Sequence, residues 1–216
     1  MRPIGVLGGT FDPIHQGHLV IAGDAQAYLH LEKVLFIPAY RPPHKPQNSY
    51  SAFEQRVRMV ELAIASNPHF ELSLIEAQRS GPSYTVDTLR DLKAELGADV
   101  EIYLIIGMDS LADILTWHKP AELLTLCRIV VAERAGYHVD LEPPEEGLPG
   151  LRDSLVLIDT PELSISSTDL QHRVQVGLPI RYQVPPSVER YIYEHKLYLD
   201  EGAVRAEAQP ERDQSC

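Results

Sequence analysis

"IGVLGGTFDPIHQGH", residues 4–18, is the stretch that decides how this chain folds. It opens with a short apolar run that ends in two glycines, passes through a turn, and reaches His15 and His18. The segment 18–31 that follows has helix-compatible spacing, and a second apolar run, "KVLFIPA", occupies 33–39. An apolar strand, a Gly-rich turn, a helix and another apolar strand form a β-α-β unit. The stretch therefore predicts an α/β protein built on a parallel sheet.

The same alternation continues outward from this unit along the chain. Apolar runs predict further strands at 69–76, 100–106, 127–133 and 154–160, and the intervening segments predict helices at 52–66, 85–96 and around 109–125. The expected fold is a Rossmann-like, open, mostly parallel sheet with helices on both faces, plus C-terminal helices. We expect one domain over 1–199 and a disordered acidic tail over 200–216, which has almost no large apolar residues.

The composition excludes several classes of protein. Nineteen Lys and Arg against 31 Asp and Glu give a net charge of −12, which argues against nucleic acid or an anionic membrane as a partner. No run approaches the roughly 18 apolar residues of a membrane span, and the N-terminus lacks the features of a signal peptide. Two cysteines, Cys127 and Cys216, cannot build a disulfide framework. These features predict a cytoplasmic protein.

The turn after the first strand is the first candidate site. In an open α/β sheet the ligand crevice lies beyond the carboxyl ends of the strands, where Gly8 and Gly9 would allow close approach of a ligand. The start of the next helix offers free N–H groups to an anion, and His15 and His18 can donate to the same anion from one helix face. Alternatively, the two histidines merely cap the helix.

Two motifs give this turn a family resemblance. Thr10, His15, Gly17 and His18 resemble the signature of the HxGH nucleotidyltransferase superfamily, whose members transfer a nucleoside monophosphate from a nucleoside triphosphate. "ISSTDLQHRV", residues 165–174, resembles the segment that contacts the triphosphate in that family, although a Ser-Ser-Thr cluster alone more often caps a helix.

The second motif departs from the family at one position. The family's usual arginine is Gln171 here, and Arg173, two residues further on, points in a different direction on a helix. Either another cation serves the triphosphate or triphosphate binding is weaker.

Four more segments narrow the resemblance. "IPAYRPPHKP" (37–46), "GPSYTVDTL" (81–89), "IIGMDSLADILTWHKP" (105–120) and the closing segment 180–198 resemble the bacterial nicotinate-nucleotide adenylyltransferases. The likeness extends over residues 3–199. It implies transfer of AMP from ATP to nicotinate mononucleotide, which gives nicotinate adenine dinucleotide and pyrophosphate on the route to NAD.

The resemblance also implies two sets of binding residues, with His15 and His18 as the catalytic pair. For ATP they are Gly8, Gly9, Thr10, Phe11, His15, His18, Gly107, Asp109, Ile165, Ser166, Ser167, Thr168 and Arg173. For nicotinate mononucleotide they are Arg41, His44, Lys45, Tyr84, Thr85, Trp117 and Arg134. The residues themselves leave alternatives open, since Trp117 could fill the core, Asp109 could cap a helix, Arg134 could form a surface ion pair and the cations of 41–45 could be solvated.

The expected reaction is an in-line displacement without a covalent intermediate. The attacking phosphate is already anionic and needs no general base, so catalysis depends on alignment and on well-placed donors. No metal site of the protein's own is predicted, and Mg²⁺ is expected to arrive with ATP. The sequence is compatible with a homo-oligomer. The alternatives are a pantetheine-phosphate adenylyltransferase, a glycerol-phosphate cytidylyltransferase, or a non-catalytic nucleotide sensor, which the altered Gln171 favours.

Overall fold

The computed structural model describes residues 1–43, 46, 49–134, 142–161 and 163–199, without the side chains of 133–134 and 142–143. The expectations for His44, Lys45 and the tail at 200–216 therefore concern residues outside the described part of the chain. Strands and helices alternate in the following order: β1 (Arg2–Gly9), α1 (Gln16–Tyr28), β2 (Lys33–Pro38), α2 (Phe53–Ile64), β3 (Phe70–Leu72), α3 (Thr85–Leu96), β4 (Val100–Ile106), α4 (Met108–Ala112), α5 (Pro120–Leu126), β5 (Arg128–Arg134), α6 (Glu142–Gly147), α7 (Leu151–Ser154), β6 (Leu155–Thr160), α8 (Ser167–Gln175) and α9 (Pro186–Glu194). Short 3₁₀ turns lie at Ile75–Gln78 and Ile114–Thr116.

The described strands form one parallel sheet in the order β3-β2-β1-β4-β5-β6. Val6 at the centre of β1 pairs with Leu35 of β2 on one side and with Leu104 of β4 on the other. The direction of strand addition reverses between β1 and β4, and in such sheets the ligand crevice lies at the carboxyl ends of that pair. The predicted Rossmann-like parallel sheet is confirmed.

Both faces of the sheet are covered, because successive side chains of a buried strand point to opposite sides. Val34 and Phe36 pack into a cluster with Met59 of α2. Leu35 and Ile37, the alternate residues of β2, pack into a second cluster that includes residues of α3. Helices on both faces and the C-terminal helices α8 and α9 are therefore as predicted.

The strand expected at 69–76 is much shorter than predicted. Strand β3 ends at Leu72, and the chain then turns through the 3₁₀ segment, which buries Ile75 and Glu76. β3 is an edge strand and, among the described strands, pairs with β2 alone, so little holds it extended beyond the point where Ser73 N–H donates to the carbonyl of Phe36 at 2.9 Å. In the described part of the chain, no helix combines the length and apolar character that crossing a bilayer requires.

Candidate active site

A cavity of about 810 Å³ opens at the carboxyl ends of β1 and β4. Its size lies within the range of small-molecule sites, about 300–1,000 Å³. Residues from the turn after β1, the start of α3, the β4–α4 junction and the segment before α8 line it. The expected site residues among them are Gly8, Gly9, Thr10, His15, His18, Tyr84, Thr85, Gly107, Asp109, Trp117 and Ile165.

The two histidines at the start of α1 form one unit. Their rings stack with centroids 3.7 Å apart, and the backbone N–H of His15 donates to Nδ1 of His18 at 3.2 Å. Because Nδ1 of His18 accepts this hydrogen bond, the neutral ring carries its hydrogen on Nε2. Nδ1 of His15 is buried and has no hydrogen-bond partner within the described residues.

Burial keeps both rings neutral at neutral pH. Desolvation lowers the pKa of His15 to about 4. Desolvation also holds the pKa of His18 well below its usual value, and the neighbouring His15 lowers it further. In the absence of a bound phosphate the pair therefore offers N–H donors rather than imidazolium charge.

Two glycines of the turn make room for this arrangement. A Cβ on Gly17 would lie 3.1 Å from both Cε1 and Nδ1 of His15, closer than ordinary van der Waals contact, so a larger residue there would press on the His15 ring. A Cβ on Gly8 would meet nothing within 4 Å, and Gly8 lines the cavity, so the backbone there is open to a ligand.

Asp12 fixes the turn between β1 and α1 through hydrogen bonds to three other segments of the chain. Its carboxylate, 2% exposed, accepts the backbone N–H of Ser51 at 2.9 Å and the hydroxyl of Tyr198 at 2.6 Å. The amide of Gln171 donates to the Asp12 carbonyl at 2.6 Å and to its carboxylate at 3.1 Å. Gln171 therefore holds the turn from a position where the family usually has an arginine.

A buried arginine, which the sequence did not reveal, supports the same turn. Arg56 of α2 is fully buried and donates to the carbonyls of Thr10 at 2.8 Å and Ser51 at 3.0 Å. Burial lowers its pKa, while the Asp12 carboxylate acts in the opposite direction. Arg56 lies in a segment with a polar and an apolar face, where an arginine is expected at the surface.

The segment before α8 contributes less to the cavity than expected. Ile165 lines it, but Ser166 is the N-cap of α8 and accepts the N–H of Asp169 at 3.1 Å. Ser167 donates to the carbonyl of Pro13 at 2.9 Å. Ser166, Ser167 and Thr168 do not line the cavity, because this cluster caps a helix and ties it to the turn.

Two further expected ATP contacts differ in the structure. The Phe11 side chain is 2% exposed and packs edge-on against the His18 ring at 5.0 Å, so it supports the site from the core. The guanidinium of Arg173 donates to the carbonyl of Pro179 at 2.9 and 3.0 Å, and the residue does not line the cavity. Its side chain binds the turn after α8 because it leaves the helix in a different direction from Gln171.

Aromatic residues line the cavity near the start of α3. The Tyr84 ring stacks on His118 with centroids 4.3 Å apart, and half-buried Trp117 lies beside His118 in the sequence. α3 begins at Thr85, and the side chain of its N-cap residue, Tyr84, makes no capping hydrogen bond. The start of this helix is therefore suited to a carboxylate.

The expected cations of the nicotinate site are only partly described. Arg41 is exposed and does not line the cavity; its guanidinium lies over the Tyr40 ring at 5.4 Å, and its N–H donates to Ser83 Oγ at 3.0 Å. The backbone of Arg134 ends β5, and its side chain lies outside the described atoms.

Glu76 is a cavity residue that the sequence analysis missed. It is 7% exposed, and its Oε1 accepts the hydroxyl of Thr88 at 2.7 Å while its Oε2 accepts the N–H of Tyr40 at 3.3 Å. These partners lie 12 and 36 positions away, so no local motif marks this glutamate.

Two carboxylates, Asp109 and Asp113, line the cavity near α4. Across the described ranges, no three His, Cys, Asp or Glu residues come together as a metal cage. A divalent ion in this cavity would therefore depend mainly on ligands that the substrate brings.

The fold, the stacked histidines and the cavity at the β1–β4 junction define a nucleotidyltransferase of the cytidylyltransferase-like family, whose family model matches residues 6–173. A relative from Roseiflexus sp. (strain RS-1) is 50% identical over 196 residues, which is 91% of this chain and 98% of the relative. A second, from Dehalococcoides mccartyi (strain CBDB1), is 45% identical over 90% of this chain and 96% of its own length. Both carry the name probable nicotinate-nucleotide adenylyltransferase. The chain belongs to that family of enzymes.

A solved structure gives the same fold. The nicotinic acid mononucleotide adenylyltransferase of Plasmodium falciparum, complexed with NaAD, superposes with a TM-score of 0.76 over 92% of this chain and 98% of its own. The two sequences are 23% identical, so the likeness concerns the architecture.

Proposed function

We propose that this enzyme joins nicotinate mononucleotide to the adenylyl group of ATP, forming nicotinate adenine dinucleotide and releasing pyrophosphate in NAD biosynthesis. The observation that carries the proposal is one cavity that holds both the neutral His15–His18 pair and the aromatic, uncapped start of α3. The first feature suits a transferring phosphoryl group, and the second suits a pyridine carboxylate. The relatives that share up to half of the residues carry the name of this activity.

The reaction balances without a covalent enzyme intermediate. A phosphate oxygen of nicotinate mononucleotide attacks the α-phosphorus of ATP, a new P–O bond forms, and the bond to the bridging oxygen of the β-phosphate breaks. The nucleophile is an anion, so no side chain has to remove a proton. Nε2–H of His18 donates to the phosphoryl oxygens as negative charge builds there, and the backbone of the glycine turn allows close approach. Pyrophosphate carries away the electron pair.

The acid end of the second substrate matches the start of α3. Tyr84 and Trp117 offer aromatic faces to a pyridine ring. The N–H groups of the first turn of α3, near Thr85, form the positive end of the helix dipole. A carboxylate gains more there than a carboxamide because it carries a full negative charge.

ATP is assigned to the other part of the cavity, with Gly107 and Asp109 beside the adenosine and the ribose. We infer that Mg²⁺ enters on the ATP phosphates and would be held mainly by phosphate oxygens and water. Bound in this way, the ion would supply charge neutralisation on the phosphates.

The test is a coupled pyrophosphate-release assay run with nicotinate mononucleotide, nicotinamide mononucleotide and phosphopantetheine in parallel. We expect turnover with the nicotinate compound, and a loss of at least about 100-fold in kcat for His18→Ala. Exposed His172 provides the matched control, and His172→Ala should keep wild-type kcat. Normal turnover by a folded His18→Ala protein would remove the proposed mechanism, and turnover with phosphopantetheine alone would replace the proposed substrate.

The sensor alternative loses the feature that favoured it. Gln171 was its support, and the Gln171 amide is occupied by Asp12. These hydrogen bonds support a structural role for Gln171 in holding the turn that carries the histidines.

A further inference from the structure

A buried negative charge stands in the part of the cavity that we assign to the pyridine ring. Glu76 lines the same cavity as Tyr84 and Thr85 and is 7% exposed. Both of its recorded hydrogen bonds come from neutral donors, the hydroxyl of Thr88 and the N–H of Tyr40. An uncompensated carboxylate there would oppose a nicotinate carboxylate and would tolerate a carboxamide.

The guanidinium of Arg79 lies close to the Glu76 carboxylate, outside the cavity lining. Nη2 of Arg79 lies 3.9 Å from Oε1 of Glu76 and donates to Thr88 Oγ1 at 2.7 Å and to the carbonyl of Tyr84 at 3.2 Å. Its Nη1 donates to Asp91 at 2.7 Å. Arg79 does not line the cavity, so it acts on a ligand through its charge rather than by contact.

Nicotinate and nicotinamide mononucleotide have nearly the same shape and differ at the ring substituent by one unit of charge. Shape alone therefore separates them poorly, whereas the local electrostatic potential separates them well. We propose that Arg79 offsets the charge of Glu76, and that this neutralisation keeps Glu76 from reversing the preference of the enzyme for the acid over the amide. The inference rests on the proposed function.

A purely structural role for the network predicts a different result. Thr88 connects the two charged groups, since its hydroxyl donates to Glu76 and accepts from Arg79. Thr88→Val removes these bonds without changing any charge. It therefore serves as a control for the positioning of Tyr84 and Thr85, and it should lower kcat/KM for both substrates alike.

The experiment measures kcat/KM for nicotinate and nicotinamide mononucleotide, at low ionic strength, in the wild type and in charge variants of the pair. Glu76→Gln should raise the acid-to-amide ratio about tenfold, and Arg79→Gln should lower it by a similar factor. This size is expected for one unit charge acting across roughly 10–15 Å at an effective dielectric constant of about 20. The double variant should return the ratio to near the wild-type value, while Arg79→Lys and Thr88→Val should leave it within about twofold.

Three outcomes overturn the inference: an unchanged ratio in both single variants, a shift of both in the same direction, or a ratio change in Thr88→Val as large as theirs. If Arg79→Gln does not fold, calorimetric binding of the two mononucleotides to Glu76→Gln and to the double variant decides in its place. A wild-type protein that uses neither mononucleotide refutes the proposed function instead, so the two failures are distinguishable.

Discussion

Gly17→Ala tests whether the spacing of the two stacked imidazoles sets the rate. The new Cβ would lie 3.1 Å from two atoms of the His15 ring, where ordinary van der Waals contact begins near 3.4 Å, so the ring has to retreat by a few tenths of an ångström. It cannot do so freely, because His15 is buried and the His18 ring lies 3.7 Å away on centroids. A misplacement of about 1 Å costs roughly 100-fold in rate, so we expect a loss of about three- to tenfold in kcat.

The same substitution should change stability little. Alanine gains up to about 1 kcal/mol over glycine in a helix, and the tight contact offsets that gain. Gly23, in the same helix, is the matched control, since a Cβ there meets nothing within 4 Å. Gly23→Ala should keep wild-type kcat and add about 0.5–1 kcal/mol to the free energy of unfolding. Pyrophosphate-release kinetics and urea unfolding on both variants decide the question, and wild-type kcat in Gly17→Ala would refute the reasoning.

Three other changes probe the surroundings of this pair. Gln171→Arg should leave the KM for ATP unchanged, because the new guanidinium lies within reach of the Asp12 carboxylate; a clearly lower KM would show that the position faces the triphosphate. Acidification from pH 7 to pH 5 should lower the free energy of unfolding by about 2 kcal/mol through His15 alone. The folded pKa of His15, about 4, lies below its unfolded value, so the unfolded chain binds the extra proton. Urea unfolding at both pH values should show a smaller loss of stability between them in His15→Asn than in the wild type. Tyr198→Phe removes a donor to a buried carboxylate and should cost about 1.5–3 kcal/mol in urea unfolding, whereas Tyr182→Phe, at an 86% exposed position, should cost nothing measurable.

The fold follows from local pattern wherever strands are buried on both faces. Strands β1, β2 and β4 are continuous apolar runs with partners on both sides, and such runs are recognisable without any knowledge of the neighbours. Strand β3 is the exception, because its length depends on where the chain turns away into the 3₁₀ segment. The 3₁₀ turn at Ile75–Gln78 is set by tertiary bonds to residues far along the chain.

The candidate site divides in the same way. One motif of eleven residues contains Gly8, Gly9, His15 and His18, and all four line the cavity. The sequence alone was therefore enough to place them at the site. The residues behind the cavity escaped prediction because their partners are distant: Arg56 binds a carbonyl 46 positions away. Such contacts leave no periodic signal, and an arginine or glutamate in an amphipathic segment is statistically a surface residue.

The bond between Tyr198 and Asp12 joins positions 186 residues apart in the sequence. The turn that presents the imidazoles is thus completed by almost the last residue of the described chain. The whole sheet has already been synthesised when this hydroxyl leaves the ribosome. A polypeptide that ends before Tyr198 would carry every motif residue but would lack the hydrogen bond from Tyr198 to Asp12. Truncation before Tyr198 should therefore destabilise the turn that carries the imidazoles, and a fusion partner is better placed beyond residue 199 than in exchange for the closing segment.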